Sequence, residues 1–193
     1  FKMPQGCLGT CAMSSIATTG GKIKGRSTAS DRFYTPQCVV EEAVRMVPPG
    51  SGVWMDPFKG LGAYYNSYPV PVSDRRWCEL DLGKDFFEYT DQDVDVICSN
   101  PPYSLLNRVF EHTVVIRPKV VNYAIGAMNL TKNRMNIMTN AGYALTKMHI
   151  VDIKGWFGQT FICQWELGAV DPAITSTAHT IKNVDGSGYG PAR

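Results

Sequence analysis

The chain has 193 residues, of which 44% are hydrophobic and 19% charged. That is enough apolar material for one domain with a proper core and too little charge for a disordered polyelectrolyte. With 19 Lys+Arg against 17 Asp+Glu, the net charge of +2 also excludes a protein that holds nucleic acid by charge alone.

Residues 1–30 are rich in Gly, Ser and Thr and carry Lys22, Lys24 and Arg26. They read as a flexible arm, and as a poor signal peptide because they lack a continuous apolar stretch. No apolar run reaches the roughly 18 residues of a membrane span, so no membrane role is expected. Val39, Val40, Ala43, Val44 and Val47 then fall on one helical face, which Pro48-Pro49-Gly50 closes. The short apolar run Val53-Trp54-Met55 leads into Asp56, and a second run at 94–98 ends at Ser99-Asn100-Pro101-Pro102. Leu105, Leu106, Val109, Phe110 and Thr113 give another helical face. A strand is predicted over 120–125, a polar helix over 129–139, and two strands over 148–153 and 161–170. A loop alone joins these last two, so they are expected to form a hairpin with one antiparallel strand. Residues 172–193, after Asp171-Pro172, read as a tail.

Strands alternating with helices predict an α/β, Rossmann-like fold, a mostly parallel twisted sheet with helices on both faces. The six cysteines, Cys7, Cys11, Cys38, Cys78, Cys98 and Cys163, are scattered and form no C-x-x-C pair. His112, His149 and His179 lie far apart. Buried thiols in a reducing compartment and no metal site are therefore expected. The location implied is intracellular: the cytoplasm, or the nucleus in a eukaryote.

Three constellations carry chemistry. Asp56-Pro57-Phe58-Lys59-Gly60-Leu61-Gly62 follows a strand. Its two glycines allow a tight turn and close approach to a ligand, and its acid can bind an amino or hydroxyl group. No Lys-Ser or Lys-Thr follows the second glycine, so it is not a P-loop. Glu79 and Asp81 follow the strand-like Arg76-Trp77-Cys78, where an acid can accept hydrogen bonds from a ribose. In Ser99-Asn100-Pro101-Pro102-Tyr103 two prolines remove two N–H donors. The Asn100 side-chain oxygen and the Pro101 carbonyl remain as an acceptor pair suited to an NH2 group. Tyr103 offers a face on which a planar base can stack, worth about 1–3 kcal/mol.

These motifs together resemble the S-adenosylmethionine-dependent amino-methyltransferases that act on adenine N6 or cytosine N4. Phe33-Tyr34-Thr35-Pro36 looks like the family's N-terminal motif, so the resemblance puts Tyr34, Thr35 and Pro36 at the cofactor's methionine part. Asp56, Phe58, Gly60 and Gly62 match its D-P-F-x-G-x-G loop. Glu79 falls at the ribose-binding acid, and Asp85-Phe86 resembles the pair beside the cofactor adenine. Asn100, Pro101, Pro102 and Tyr103 match the catalytic N-P-P-[YFW]. Trp156-Phe157 precedes the final hairpin, where Phe157 is the counterpart of an aromatic packing on the target base.

The resemblance implies a catalytic domain over 31–171 that methylates a base in nucleic acid, with the motif order favouring adenine N6; DNA is the first substrate expected and RNA the alternative. The five residues between Glu79 and Asp85 leave no room for a helix, so Glu79, Asp81 and Asp85 share one loop and both earlier acids stay open as the ribose ligand. The helix after the glycine loop must be short, because Pro69 and Pro71 interrupt it. Nothing after residue 171 is large enough for a target-recognition domain. The chain is thus similar to compact phage-type enzymes, and a separate specificity subunit is a possible partner. Protein glutamine methylation uses the same acceptor pair and stays open, as does an idle cofactor-fold subunit. Lys132, Asn133 and Arg134, like the basic arm, are candidate phosphate contacts.

Overall fold

A computed structural model describes residues 35–50, 52–151 and 158–169. The helices are α1 (Gln37–Met46), α2 (Ala63–Ser67), α3 (Leu106–Ile116) and α4 (Lys132–Asn140). The strands are β1 (Trp54–Asp56), β2 (Arg75–Trp77), β3 (Val96–Ser99), β4 (Val120–Gly126), β5 (Tyr143–Val151) and β6 (Thr160–Leu167). They form one sheet in the order β2-β1-β3-β4-β6-β5. β2, β1, β3 and β4 pair in parallel, while β6 runs antiparallel to both β4 and β5. The predicted fold class and the single antiparallel strand are both present.

The period-two alternation of the strands builds two cores. Trp54, Val96, Cys98, Val120 and Ile162 pack with Val39, Val40, Ala43 and Val47 of the α1 segment and with Tyr64 and Tyr68. Met55, Ile97, Val121, Tyr123, Ile125, Cys163 and Trp165 face the opposite layer, with Leu106, Val109 and Phe110 of α3 and Met135 and Met138 of α4. All seven residues of β4 are buried, which makes it the centre of the sheet. A polar seam crosses the first core. Asn122 donates to the Ala43 carbonyl at 3.2 Å and to Gln164 Oε1 at 3.4 Å.

α1 stops at Met46 because Val47 precedes Pro48 and takes an extended backbone. α2 has only five residues, as Pro69 and Pro71 require. Residues 79–88 fold without a helix of α type. They form two single 3-10 turns, Leu80–Leu82, which a Glu79–Lys84 bridge closes, and Phe86–Glu88. β5 begins at Tyr143 rather than at 148, because a register shift between Leu145 and Lys147 breaks its alternation. β6 stops at Leu167, where Gly168 turns the chain at φ 73°.

Cys78, Cys98 and Cys163 are buried free thiols and Cys38 is exposed. Among the described residues no helix is long and apolar enough to cross a membrane. Phe110 joins the α3 layer to the sheet, edge-on to Trp165 at 5.4 Å and tilted against Tyr123 at 5.8 Å. Phe110→Ala should lower unfolding stability by about 3–5 kcal/mol, read as a fall in urea midpoint without change in slope.

Candidate active site

The strand order reverses direction at β1, which has β2 on one side and β3 on the other. Open α/β sheets bind ligands at the carboxyl ends of strands flanking such a switch point. Asp56 ends β1 and Asn100 follows directly on β3.

Asp56 is 1% exposed. Its Oδ1 accepts a hydrogen bond from Ser99 Oγ at 2.7 Å and from the Phe58 amide at 3.3 Å. Its Oδ2 is buried and has no hydrogen-bond partner among the described residues. Burial pushes the carboxyl up to about 6; Ser99 and the Phe58 and Tyr65 amides pull the other way, and the charge of Glu79 adds to the rise.

The glycine loop leaves Asp56 and turns twice in the left-handed region, at Gly60 (φ +49°) and Gly62 (φ +86°). A Cβ at Gly60 would approach only the Phe58 carbonyl oxygen, at 4.0 Å. The backbone is therefore open to a ligand on that side, while its conformation disfavours other residues. Glu79 binds this loop directly, since its Oε2 accepts the Gly60 N–H at 2.6 Å and its Oε1 the Asp81 N–H at 3.4 Å. Asp81 itself is exposed on the turn beyond. Glu79 is thus joined to the glycine loop.

Asn100 Nδ2 donates to Thr35 Oγ1 at 3.1 Å. This ties the motif after β3 to the entry of α1, where the Pro36 carbonyl accepts the Val39 and Val40 amides. Buried Tyr64 faces Thr35 from α2. Tyr103 is half-buried, with its ring against the end of β4. A Cβ at Gly126 would lie 3.3 Å from that ring and 3.3 Å from the Asn129 amide. The Tyr68 hydroxyl donates to the Cys98 carbonyl at 2.6 Å and fixes the end of β3 from the α2 side.

The sequence-predicted residues Thr35, Pro36, Asp56, Phe58, Gly60, Gly62, Glu79, Asn100, Pro101, Pro102 and Tyr103 thus lie on the segments that follow β1, β2 and β3, or at the α1 entry that Asn100 reaches. Phe86 is different: it is 2% exposed in the core, edge-on to Phe58 at 5.2 Å and to His112 at 4.8 Å. Asp85 caps its turn, accepting the Phe87 amide at 2.9 Å. Arg134 is a brace, donating to Asn107 Oδ1 at 2.8 Å and to the Asn129 carbonyl at 2.6 Å, whereas Lys132 and Asn133 are exposed. Tyr34, Trp156, Phe157 and the arm residues Lys22, Lys24 and Arg26 lie outside the described residues. Two site residues had no predicted role, Ser99 and Gly126. A hydroxyl inside a run of buried apolar residues was the available signal for the first. A glycine ending the most buried strand was the signal for the second.

No protein-family model and no curated protein sequence matches the chain. Solved structures do. Magnesium protoporphyrin IX methyltransferase from Synechocystis PCC 6803, with bound SAM, aligns at TM-score 0.50 and 10% identity, covering 68% of this chain and 79% of that one. An RNA methyltransferase from Salinibacter ruber, in complex with S-adenosyl-L-homocysteine, aligns at TM-score 0.48 and 13% identity over 75% of this chain and 100% of that one. TYW2 from M. jannaschii, in complex with AdoMet, aligns at 0.45 and 11% identity over 72% and 80%. The first of these likenesses shows the fold alone, a Rossmann-like α/β sheet shared with that structure.

Asp56 gives a pH test. Its carboxyl holds a proton in the folded state that the unfolded chain has already lost between about pH 4 and pH 6. The native state binds more protons there, so stability falls as pH rises through that window and stays lower above it. Asp56→Asn should therefore gain about 1–3 kcal/mol over the native protein at about pH 7.5 and little of it at about pH 4. Urea titrations at both pH values measure this, and an equal difference at the two would reject it.

Proposed function

We propose that the chain transfers the methyl group of S-adenosylmethionine to an exocyclic amino group of a nucleic-acid base, adenine N6 in DNA first. One observation carries the proposal. The Ser99–Asp56 hydrogen bond of 2.7 Å holds the acid of the glycine loop against the strand whose next residue is Asn100. A donor-binding acid and an acceptor-binding motif thereby meet at the switch point of a methyltransferase fold.

The residues fit the cofactor. Asp56 Oδ2, buried and without a hydrogen-bond partner among the described residues, suits a cationic amino group. The open backbone at Gly60 suits a close-lying chain, and the Glu79 carboxylate beside it suits the two ribose hydroxyls. S-adenosylmethionine supplies an electrophilic methyl group on a sulfonium. The remaining chemistry belongs to the protein.

An adenine amino nitrogen is a weak nucleophile because its lone pair is delocalised into the ring. Asn100 Oδ1 and the Pro101 carbonyl accept its two N–H groups. That favours a tetrahedral nitrogen and aims its lone pair, which is positioning with preorganised electrostatics. Thr35, accepting from Nδ2, holds the amide with its oxygen turned away from the Thr35 side. Tyr103 stacks on the base and offsets part of the few kcal/mol needed to take it out of a duplex. The methylated nitrogen then loses its extra proton readily, so no strongly basic group is required.

Support for a nucleic-acid base over a protein amide is the D-P-F form of the glycine loop together with Thr35-Pro36 ahead of it. Glutamine presents the same pair of N–H groups and is the second reading.

Asn100→Ala should abolish transfer of labelled methyl groups and leave the calorimetric affinity for S-adenosylmethionine within about threefold, a change of under 1 kcal/mol. The substrates are single-stranded DNA, duplex DNA, RNA and a protein extract, with product nucleosides identified by mass spectrometry. N6-methyladenine made by the native protein alone supports the proposal. Label found only in protein would transfer it to the glutamine reading.

A further inference from the structure

One exposed apolar side chain stands beside this site on a turn built to hold it still. Met128 is 88% exposed, the most exposed of the large hydrophobic residues among those described. It occupies the middle of the 3-10 turn Ala127–Asn129, immediately after β4. Isolated exposed apolar residues are common and need no explanation. The bracing of this turn sets it apart. The Ala127 amide donates to the Gln159 carbonyl at 2.8 Å, and the Leu130 amide closes back on the Ala127 carbonyl at 3.2 Å. Asn129 is gripped by Arg134, which reaches its carbonyl at 2.6 Å and its side-chain oxygen at 3.2 Å. The same guanidinium holds Asn107 of α3 at 2.8 Å. The backbone is thus held by Gln159, just before β6, and by Arg134 of α4, itself braced by Asn107 of α3, while the Met128 side chain stays in solvent.

The turn is also close to where the base would stack. Gly126 lies against the Tyr103 ring, and two residues of chain span at most about 7 Å, so Met128 begins within that distance of Gly126. Stacked bases next to an extruded nucleotide present apolar faces and a gap. Apolar wedges, methionine among them, are a physical solution to that gap. Exposed Lys132 and Asn133 open α4 just beyond, with side chains of the kind that contact phosphate and sugar. Among the described residues Lys132 makes no ion pair.

We propose that the Ala127–Asn129 turn is a strand-contacting wedge, with Met128 packing against the base next to the target in duplex nucleic acid and Lys132 on the flanking phosphate. This rests on the reading that a nucleic-acid base is held at Asn100 and Tyr103. The physical consequence is selective. A wedge helps only when a neighbouring stack must be disturbed, so its loss weighs on duplex and spares single strands.

The test compares Met128→Ala with the native protein on one random-sequence DNA pool, single-stranded and duplex, by labelled methyl transfer and by fluorescence anisotropy. S-adenosylmethionine affinity is measured alongside, and Met128→Leu serves as the conservative variant. Transfer into duplex should fall about tenfold, the equivalent of part of the unstacking cost, and transfer into single strands should stay within about twofold. Met128→Leu should restore the duplex rate, and Lys132→Ala should weaken duplex binding and flatten its salt dependence. Equal losses on both substrates, or no loss on duplex, overturn the wedge. A native protein that binds S-adenosylmethionine and methylates only protein also overturns it, while leaving methyl transfer standing. A native protein that does not bind S-adenosylmethionine overturns the underlying site reading together with the wedge.

Discussion

A buried carboxylate at the end of β1 is the constraint around which the site is arranged. Asp56 is enclosed by the sheet and the glycine loop, and ionising it there costs free energy. The fold answers with a hydroxyl from β3, Ser99, and with amides of its own loop. Among the described residues one oxygen is satisfied and the other is not. A chain selected for stability alone would have an apolar or fully bonded side chain at this point. Keeping half of a carboxylate unsatisfied in a dry position is a stability cost that a bound cation would offset, the usual relation between a binding site and the fold that carries it.

The rest of the molecule supplies what this arrangement needs with few parts. β1 contributes only three residues and β2 three, so neither holds its register by ladder length. Side chains do it instead. Tyr68 ties α2 to the end of β3, and Arg75 ties β2 to α2 through the carbonyls of Val70, Tyr65 and Tyr68. Glu79 ties the loop after β2 to the glycine loop. A conventional crossover would place a longer helix between these strands. The five-residue α2 is adequate because buried tyrosines, Tyr64 and Tyr68, bring aromatic area that a short helix of aliphatic residues could not.

Much of this was legible in the sequence. The α1 helix announces itself by its Val and Ala spacing and its closing prolines. The alternation of strands and helices gives the sheet class. The strand before Asn100 follows from an apolar run ended by two prolines. What stayed hidden has physical causes. The start of β5 was masked because a register shift after Leu145 interrupts the period of two that identifies a strand. Phe86 matches a motif, and a motif fixes a position in the chain without fixing the direction of a side chain. Here Phe58, Phe87 and His112 enclose it. The role of Thr35 as acceptor from Asn100 joins residues 65 apart in the chain, and no local pattern reports such a pairing. The contact between Glu79 and the Gly60 amide was likewise hidden, since Glu79 and Asp81 have the same chemistry and share one loop.

The two sides of the site are stiffened by different means, and this bears on how it works. Around Asp56 and Glu79 the contacts are mostly carboxylate to backbone amide, at Gly60, Phe58 and Asp81, with the Ser99 hydroxyl as the one side-chain partner among the described residues. Such contacts exchange readily for hydroxyl or ammonium groups of a ligand that offers the same donors. Around Asn100 and Tyr103 the bracing is side chain to side chain and steric: Asn100 on Thr35, Tyr103 on Gly126, Arg134 across Asn107 and Asn129. Arg134 is partly withdrawn from water, which lowers its proton affinity, and its hydrogen bonds go to the amide oxygens of Asn107 and Asn129. A flexible acceptor pair would lose the advantage of orientation, because small displacements of reacting groups are costly in rate. The methyl transfer proposed above asks for such a division, because in it one ligand must enter and leave and the other must be aimed.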